Sequence, residues 1–380
     1  MWSHRNTRVL WLSAAGLATI ALVAGCGSRE APENPANQTA TVWVAPPYPH
    51  KAGMVPEPEP AASAEGPCEL PGATGSAKVP LENGGGFLDL PTYDGSGQST
   101  HPNVQFDRAG RFGHRYWMVM TPYPFGDGKW ENPSILASDD GLDWSEPRGV
   151  RNPVTGEPED VARLGHYSDG YLLPRPNGFE LWFRYNPARP DANRPDNATN
   201  IIYRMTSPDG VDWTDKEVVF NGGGPSFMSP SLLADGSLYR LWYSNYGGEL
   251  VYTQSRDLRT WEEPRQVEVT MSDGYAPWHQ EIVATDRGYE ALLLGYKAEG
   301  GRTSFALFYA QSDDGLRFGE ARLIDPQKVD SRLAGYHFYK SSLVKDCGAY
   351  QLYLSVVSSA GAYLPFYKQV PVESLSDLFA

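Results

Sequence analysis

Cysteine is scarce in this chain, at 3 in 380 residues. That excludes a disulfide-dense scaffold, and no cysteine cluster of zinc-binding spacing occurs. Positive charge is also short. Lys and Arg total 32 against 46 Asp and Glu, a net charge of −14, whereas a nucleic-acid binder needs a basic footprint. The same deficit argues against a polyanionic substrate, although a local basic pocket is compatible with it. Helical periodicity is missing: no stretch repeats apolar residues every 3.6 positions over a dozen residues, apart from the tail after Val370. With 41% hydrophobic and 21% charged residues, whole-chain disorder and a multi-span membrane protein are both excluded. What is abundant is turn and strand material: 39 Gly, 32 Pro and 12% aromatics. This composition predicts many short strands.

The one apolar run near the start, Val9 to Ala24, follows Arg5 and Arg8. It is too short and too early for a permanent span. It ends in Leu22-Val23-Ala24-Gly25-Cys26, which resembles a bacterial lipoprotein signal. The resemblance implies removal of residues 1–25, lipidation of Cys26, and anchoring to the outside of the bacterial cell membrane. An ordinary secretory signal would also take the chain out of the cytoplasm. Residues 26–66 are rich in Pro, Ala and Glu, with the run Pro56-Glu57-Pro58-Glu59-Pro60. Such a segment buries too little apolar surface to order itself and reads as a tether. The folded domain is then 67–380. Cys68 and Cys347 remain, at opposite ends of that domain, in a compartment that permits oxidation. They are expected to form a disulfide, two free buried thiols being the alternative. A bridge over so long a loop would contribute about 4 kcal/mol in the chain-entropy model.

From about residue 100 one unit recurs: a polar cluster, an apolar strand, an aromatic-rich strand, a third strand, and a Ser-to-aromatic turn. The second strands contain Tyr116-Trp117-Met118, Leu181-Trp182-Phe183-Arg184-Tyr185, Leu241-Trp242-Tyr243, Leu292-Leu293-Leu294 and Leu352-Tyr353-Leu354. The turns run Ser138 to Trp144, Ser207 to Trp213, Ser255 to Trp261 and Ser312 to Phe318. Each turn contains an Asp that can bond to the backbone amides of its own turn, and its aromatic is placed to pack between sheets. Their role is structural. The polar clusters open at His101, His166, Met228, Trp278 and His337. Five units of four short strands closing radially make a five-bladed β-propeller. The last unit lacks its outer strand, and the segment from Lys78 to Leu90 is expected to supply it and close the ring.

The four turns and the His101-Pro102-Asn103-Val104 opening resemble the five-bladed propeller glycoside hydrolases, families 43, 32 and 62. The turns also resemble the Asp boxes of sialidases but are one residue shorter. The family-43 pattern places three carboxylates at the starts of the first strands of blades one, two and three, serving as base, pKa modulator and acid. Here those positions read His101-Pro102, Ser168-Asp169-Gly170, and Met228 or Ser229 before Pro230. The resemblance therefore carries over one carboxylate, Asp169. It also allows a calcium ion in the central channel, though no cofactor is required by the reading.

A propeller gathers its first-strand openings at one mouth. Asp169 and Glu281 are the expected carboxylate pair there, with Glu131 in reserve, because glycosidic cleavage needs one carboxyl as acid and another as base or nucleophile. His101, Asn103, His166, Ser229, Trp278, His279, Tyr339 and Lys340 are the expected substrate-binding residues, with Ser168 and Ser341 beside them and Tyr275 at the rim. Three imidazoles, at His101, His166 and His279, would suffice for zinc with a water. Bonding to sugar hydroxyls or to each other is the simpler role, and no metal site is assigned. The loop Asp191 to Asn200 is expected to overhang the mouth. The reading is a monomeric, anchored glycoside hydrolase acting on a cell-envelope or environmental polysaccharide. The alternatives are a glycan-binding lipoprotein without catalysis, and a propeller that offers its outer faces to envelope proteins.

Overall fold

The computed structural model describes residues 70–71, 79–163, 165–187, 201–221, 228–245, 247–299 and 302–380. The expected signal, the tether, Cys26, Cys68 and the Asp191–Asn200 loop lie outside the described residues.

Five antiparallel sheets follow one another in chain order. Blade one is Ser99–Phe106, Tyr116–Pro122 and Ser134–Ser138. Blade two is His166–Arg175, Gly178–Asn186, Ile201–Ser207 and Glu217–Asn221. Blade three is Met228–Asp235, Leu238–Ser244, Leu250–Ser255 and Arg265–Gln266. Blade four is Ala276–Thr285, Gly288–Glu299, Arg302–Ser312 and Arg322–Leu323. Blade five runs Ser342–Asp346, Ala349–Val357 and Tyr363–Pro371, and its outer strand is Gly85–Phe87 from the start of the domain, paired to Tyr363–Pro371. The ring thus closes with the expected N-terminal strand, and neither end of the sheet order is left as a long free edge. The tail after Val370 forms a 3-10 segment, Val372–Leu378, that buries Leu375 and Leu378.

The Ser-to-aromatic turns join neighbouring blades. In each, the Ser hydroxyl and the Asp carboxylate accept backbone amides of the turn, as Ser207 and Asp209 do from Asp209 to Asp212. Glycine takes the left-handed position in three turns, and Leu258 takes it in the fourth with φ +60°. The turn of each blade then seats on the central aromatic of the blade before. Gly210 of blade two faces Trp117 of blade one so closely that a Cβ would lie 2.3 Å from the ring. Trp261 of blade three meets Trp182 of blade two edge to face, with centroids 6.4 Å apart. Gly315 of blade four accepts the Trp242 indole N–H of blade three at 2.7 Å. Gly141 of blade one accepts the Tyr353 hydroxyl of blade five at 3.1 Å, across the closure. Trp117, Trp182, Trp242 and Tyr353 are all fully buried. Rings of this size bury about 150–250 Å² each, so a local turn motif sets the spacing of the blades.

Candidate functional site

The start of each first strand pairs with the end of the second, as Ser99 does with Pro122 and His166 with Asn186. The connections from second to third strands therefore open at the same end as the first-strand starts. That end is the mouth, and the Ser-to-aromatic turns lie at the other.

Blades one, two and three share one device at the mouth. His101, Asp169 and Ser229 adopt φ of +53°, +56° and +50°, and each is followed by Pro102, Gly170 or Pro230. The strand register shifts at the same places. These are bulges of the sort that re-aim a side chain beside an active site. Left-handed backbone at a non-glycine residue is uncommon and concentrates at functional positions. At Gly170 a Cβ would come within 2.7 Å of Val119, so glycine alone fits beside Asp169.

The bulges bring scattered residues together. His101 Nε2 lies 3.3 Å from Asp169 Oδ1, and His279 Nδ1 lies 3.7 Å from the same oxygen. These three atoms all fall within 4.8 Å of one another. The other Asp169 oxygen is held by Arg184 Nε at 3.0 Å and by the Ser229 amide at 3.0 Å. His279 also contacts the Ser229 hydroxyl at 2.6 Å and the Tyr339 hydroxyl at 3.1 Å. His101 Nδ1 lies 3.0 Å from Thr121 Oγ1 and 3.3 Å from Glu131 Oε1. Glu131 takes the Ser168 hydroxyl on one oxygen and faces His166 Nε2 at 3.5 Å with the other. All these side chains except that of His166 are nearly buried.

Charge in the cluster follows from burial. Burial drives the His101 imidazole well below its usual pKa and His279 down to about 3, against the pull of Asp169 in both cases. Burial raises Asp169, but Arg184, the two histidines and the Ser229 amide outweigh it and hold the carboxyl well below the usual range. Burial pushes Glu131 up, partly opposed by His166. The cluster therefore holds a carboxylate, two neutral imidazoles and a carboxyl poised to carry a proton. When His101 Nδ1 donates to Glu131, its Nε2 lone pair faces the Asp169 oxygen, an arrangement that a cation between them would relieve. Neutral imidazole nitrogen and carboxylate oxygen are the donors of zinc and similar ions. Ligand bonds of about 2.0–2.2 Å put tetrahedral donors roughly 3.4 Å apart; the two spacings from Asp169 Oδ1 are close to that, and the two histidine nitrogens, within 4.8 Å of each other, would draw together on a cation. The donor set differs from the three histidines considered from sequence, because His166 turns to Glu131 and Asn186.

Glu281 occupies a different environment. One oxygen accepts from the Ser342 hydroxyl at 2.7 Å and the Leu343 amide at 3.1 Å, and the other from Asn103 Nδ2 at 3.3 Å. Asn103 also accepts from the Leu172 amide at 2.8 Å. These bonds link blades one, two, four and five around the axis. Burial raises the Glu281 pKa, opposed by Lys340, and burial lowers that of Lys340, opposed by Glu281 and Asp169. Trp278 packs against Tyr296 with centroids 4.8 Å apart. Arg184 and Thr121 were not among the residues expected at the mouth. The signal for Arg184 was one cation in the apolar and aromatic run Leu181-Trp182-Phe183-Arg184-Tyr185.

A pH test follows for His279. Its folded pKa lies below the unfolded value near 6.5, so below that pH the unfolded chain takes up a proton that the folded chain refuses. The stabilisation due to neutral His279 is lost as pH falls. The destabilisation caused by His279→Gln, measured by urea unfolding, should shrink by about 1.4 kcal/mol per pH unit between about pH 6 and pH 4. A pH-independent difference would contradict a buried neutral imidazole.

No known protein-family profile matches the chain. It is 25% identical over 331 residues to the A type blood N-acetyl-α-D-galactosamine deacetylase of Flavonifractor plautii, covering 73% of this chain and 42% of that protein. The chain thus spans less than half the length of that curated relative. Among solved structures, an N-acetylgalactosamine deacetylase from F. plautii in complex with blood group B trisaccharide superposes with a TM-score of 0.61 at 19% identity, covering 77% of this chain and 96% of that one. A family-43 endo-arabinanase from Bacillus licheniformis superposes with a TM-score of 0.51 at 12% identity, covering 74% and 96%. The chain has the five-bladed β-propeller fold that these carbohydrate-active enzymes share.

Proposed function

We infer that this chain is a carbohydrate-active hydrolase that removes an acyl group, an N-acetyl group above all, from a sugar at the propeller mouth. One observation carries the reading: the three bulge positions present His101, Asp169 and Ser229, with His279 beside them, in place of three carboxylates. That set suits a divalent cation with one proton-carrying carboxyl, and it lacks the free carboxylate pair that glycosidic cleavage needs. The likeness to an N-acetylgalactosamine deacetylase supports the same reading.

His101, Asp169 and His279 would hold the cation, which supplies Lewis acidity to polarise a carbonyl oxygen. Arg184 and the Ser229 amide keep Asp169 ionised and aimed. Glu131, whose pKa burial raises, would take the proton of the attacking water and return it to the departing sugar amine. The Tyr339 hydroxyl would fix the His279 ring through Nε2, and the Ser229 hydroxyl, which meets Nδ1, would give that nitrogen up to the cation. Glu281, with its oxygens engaged between blades, is assigned to hold the axis. The same proposal includes export, an anchor at Cys26, and a Cys68–Cys347 bridge in the blade that Gly85–Phe87 closes.

The test is product analysis. The full chain, supplied with a divalent cation, is incubated with N-acetylgalactosamine-terminated and other N-acetylated glycans, and acetate and new reducing ends are both measured. Acetate without reducing ends supports deacylation. Reducing ends without acetate would establish a glycosidase and return Asp169 and Glu281 to the roles of acid and base. Binding without either product would mean a glycan-binding protein.

A further inference from the structure

Phe125 is the most exposed large apolar side chain among the described residues, at 68%. It lies in the connection between the second and third strands of blade one, a mouth loop. Its backbone is left-handed, with φ 51° and ψ 30°, a conformation that a residue with a Cβ adopts only under strain. Glycine would sit there without strain, and Gly126 follows directly. The strained turn is nevertheless held firmly. The buried Gln98 accepts the Phe125 amide at 3.0 Å and the Tyr363 amide of blade five at 3.0 Å with the same oxygen. The Tyr123 amide donates to the Gln98 carbonyl at 3.0 Å. At the far end of the loop Asn132 accepts the Tyr167 amide at 3.0 Å.

This loop is continuous with the cluster below it. The Tyr123 ring lies 4.7 Å from that of Tyr363 and 6.5 Å from that of His101. Glu131 belongs to the same segment, six residues beyond Phe125. A rigid piece of chain therefore carries the proton-bearing carboxyl at one end and an exposed ring at the other. Asp127 and Lys129 follow Phe125 in the same loop and are exposed, and the Lys129 ammonium lies over the Trp130 ring, 4.7 Å from its centroid. The only other exposed large hydrophobic among the described residues is Val218, on the outer strand of blade two. One exposed ring in a loop that also carries Asp127 and Lys129 is too little for a protein interface or a membrane, which need hundreds of square ångströms of apolar surface. It matches a single pyranose, whose apolar face stacks on an aromatic while its hydroxyls meet charged groups.

We propose that Phe125 is a second sugar subsite, stacking the residue next to the one that enters the cluster, so that the substrate is an oligosaccharide rather than a free monosaccharide. The proposal rests on the carbohydrate reading and extends it from one sugar to its neighbour.

Calorimetry on the full chain with N-acetylgalactosamine, and with a trisaccharide ending in it, tests this. The wild type should bind the trisaccharide about tenfold more tightly. Phe125→Ala should erase that advantage and leave monosaccharide affinity unchanged, while Phe125→Tyr keeps it. Phe125→Gly, which relieves the strain, should melt no lower than the wild type and still lose the advantage. Equal loss for both ligands, an unchanged advantage in Phe125→Ala, or a large fall in melting temperature on substitution would overturn the subsite. Equal wild-type affinity for both ligands would refute the subsite alone. No binding of either sugar would refute the carbohydrate reading with it.

Discussion

His101→Asn and Asp169→Asn should each lower turnover by about 10³-fold, but only the second should also weaken the fold. Loss of one of three cation ligands removes several kcal/mol of charge stabilisation, and each 1.4 kcal/mol is a factor of ten in rate. Asparagine at 101 is neutral, as buried His101 is, and it tolerates the left-handed backbone there. Its stability should stay within about 1 kcal/mol of the wild type. Asn at 169 leaves the Arg184 guanidinium, 6% exposed, without its carboxylate. Breaking a buried pair in this way costs about 3–5 kcal/mol. Steady-state kinetics beside urea unfolding separate the two effects. Full turnover in His101→Asn would remove His101 from the chemistry.

The second large effect concerns Glu281, and it is one of stability. Lys340 is 1% exposed and Glu281 is 2% exposed. Glu281→Gln removes the carboxylate that opposes the effect of burial on Lys340 and weakens the bonds accepted from Ser342, Leu343 and Asn103, and should destabilise the chain by about 1–3 kcal/mol. Adding Lys340→Met, which removes the buried amine, should recover part of that. A double-mutant cycle reads the coupling directly. A Glu281→Gln chain as stable as the wild type but without activity would instead make Glu281 a catalyst.

Much of the fold was open to inspection in the residues because it depends on local chemistry. The Ser-Asp turns satisfy their own amides, so the motif Ser138 to Trp144 and its relatives mark blade ends without knowledge of tertiary structure. The closing strand followed from a count, since one unit lacked its outer edge. The meeting of His101, Asp169 and His279 was legible for the same reason: each opens a first strand, and a ring of blades brings first strands together. The partition among them was not. His166 also opens a first strand, but it faces Glu131, because the bulge at Asp169 carries that side chain to the axis instead. Asn103 and Glu281 read as mouth residues by position, while their partners, the Leu172 and Leu343 amides, are backbone groups that no side-chain pattern reveals. Arg184 stayed hidden inside a run that looked apolar. Gln98 precedes the first blade and carries no motif, yet it ties the Phe125 loop to blade five.

The central claim is that His101, Asp169 and His279 form a cation site at the mouth. Anomalous diffraction from crystals of the full chain soaked in manganese or zinc tests it most directly. The account predicts a peak about 2.0–2.2 Å from His101 Nε2, Asp169 Oδ1 and His279 Nδ1, absent in crystals of His101→Asn. An active enzyme with no peak between those three atoms would contradict it.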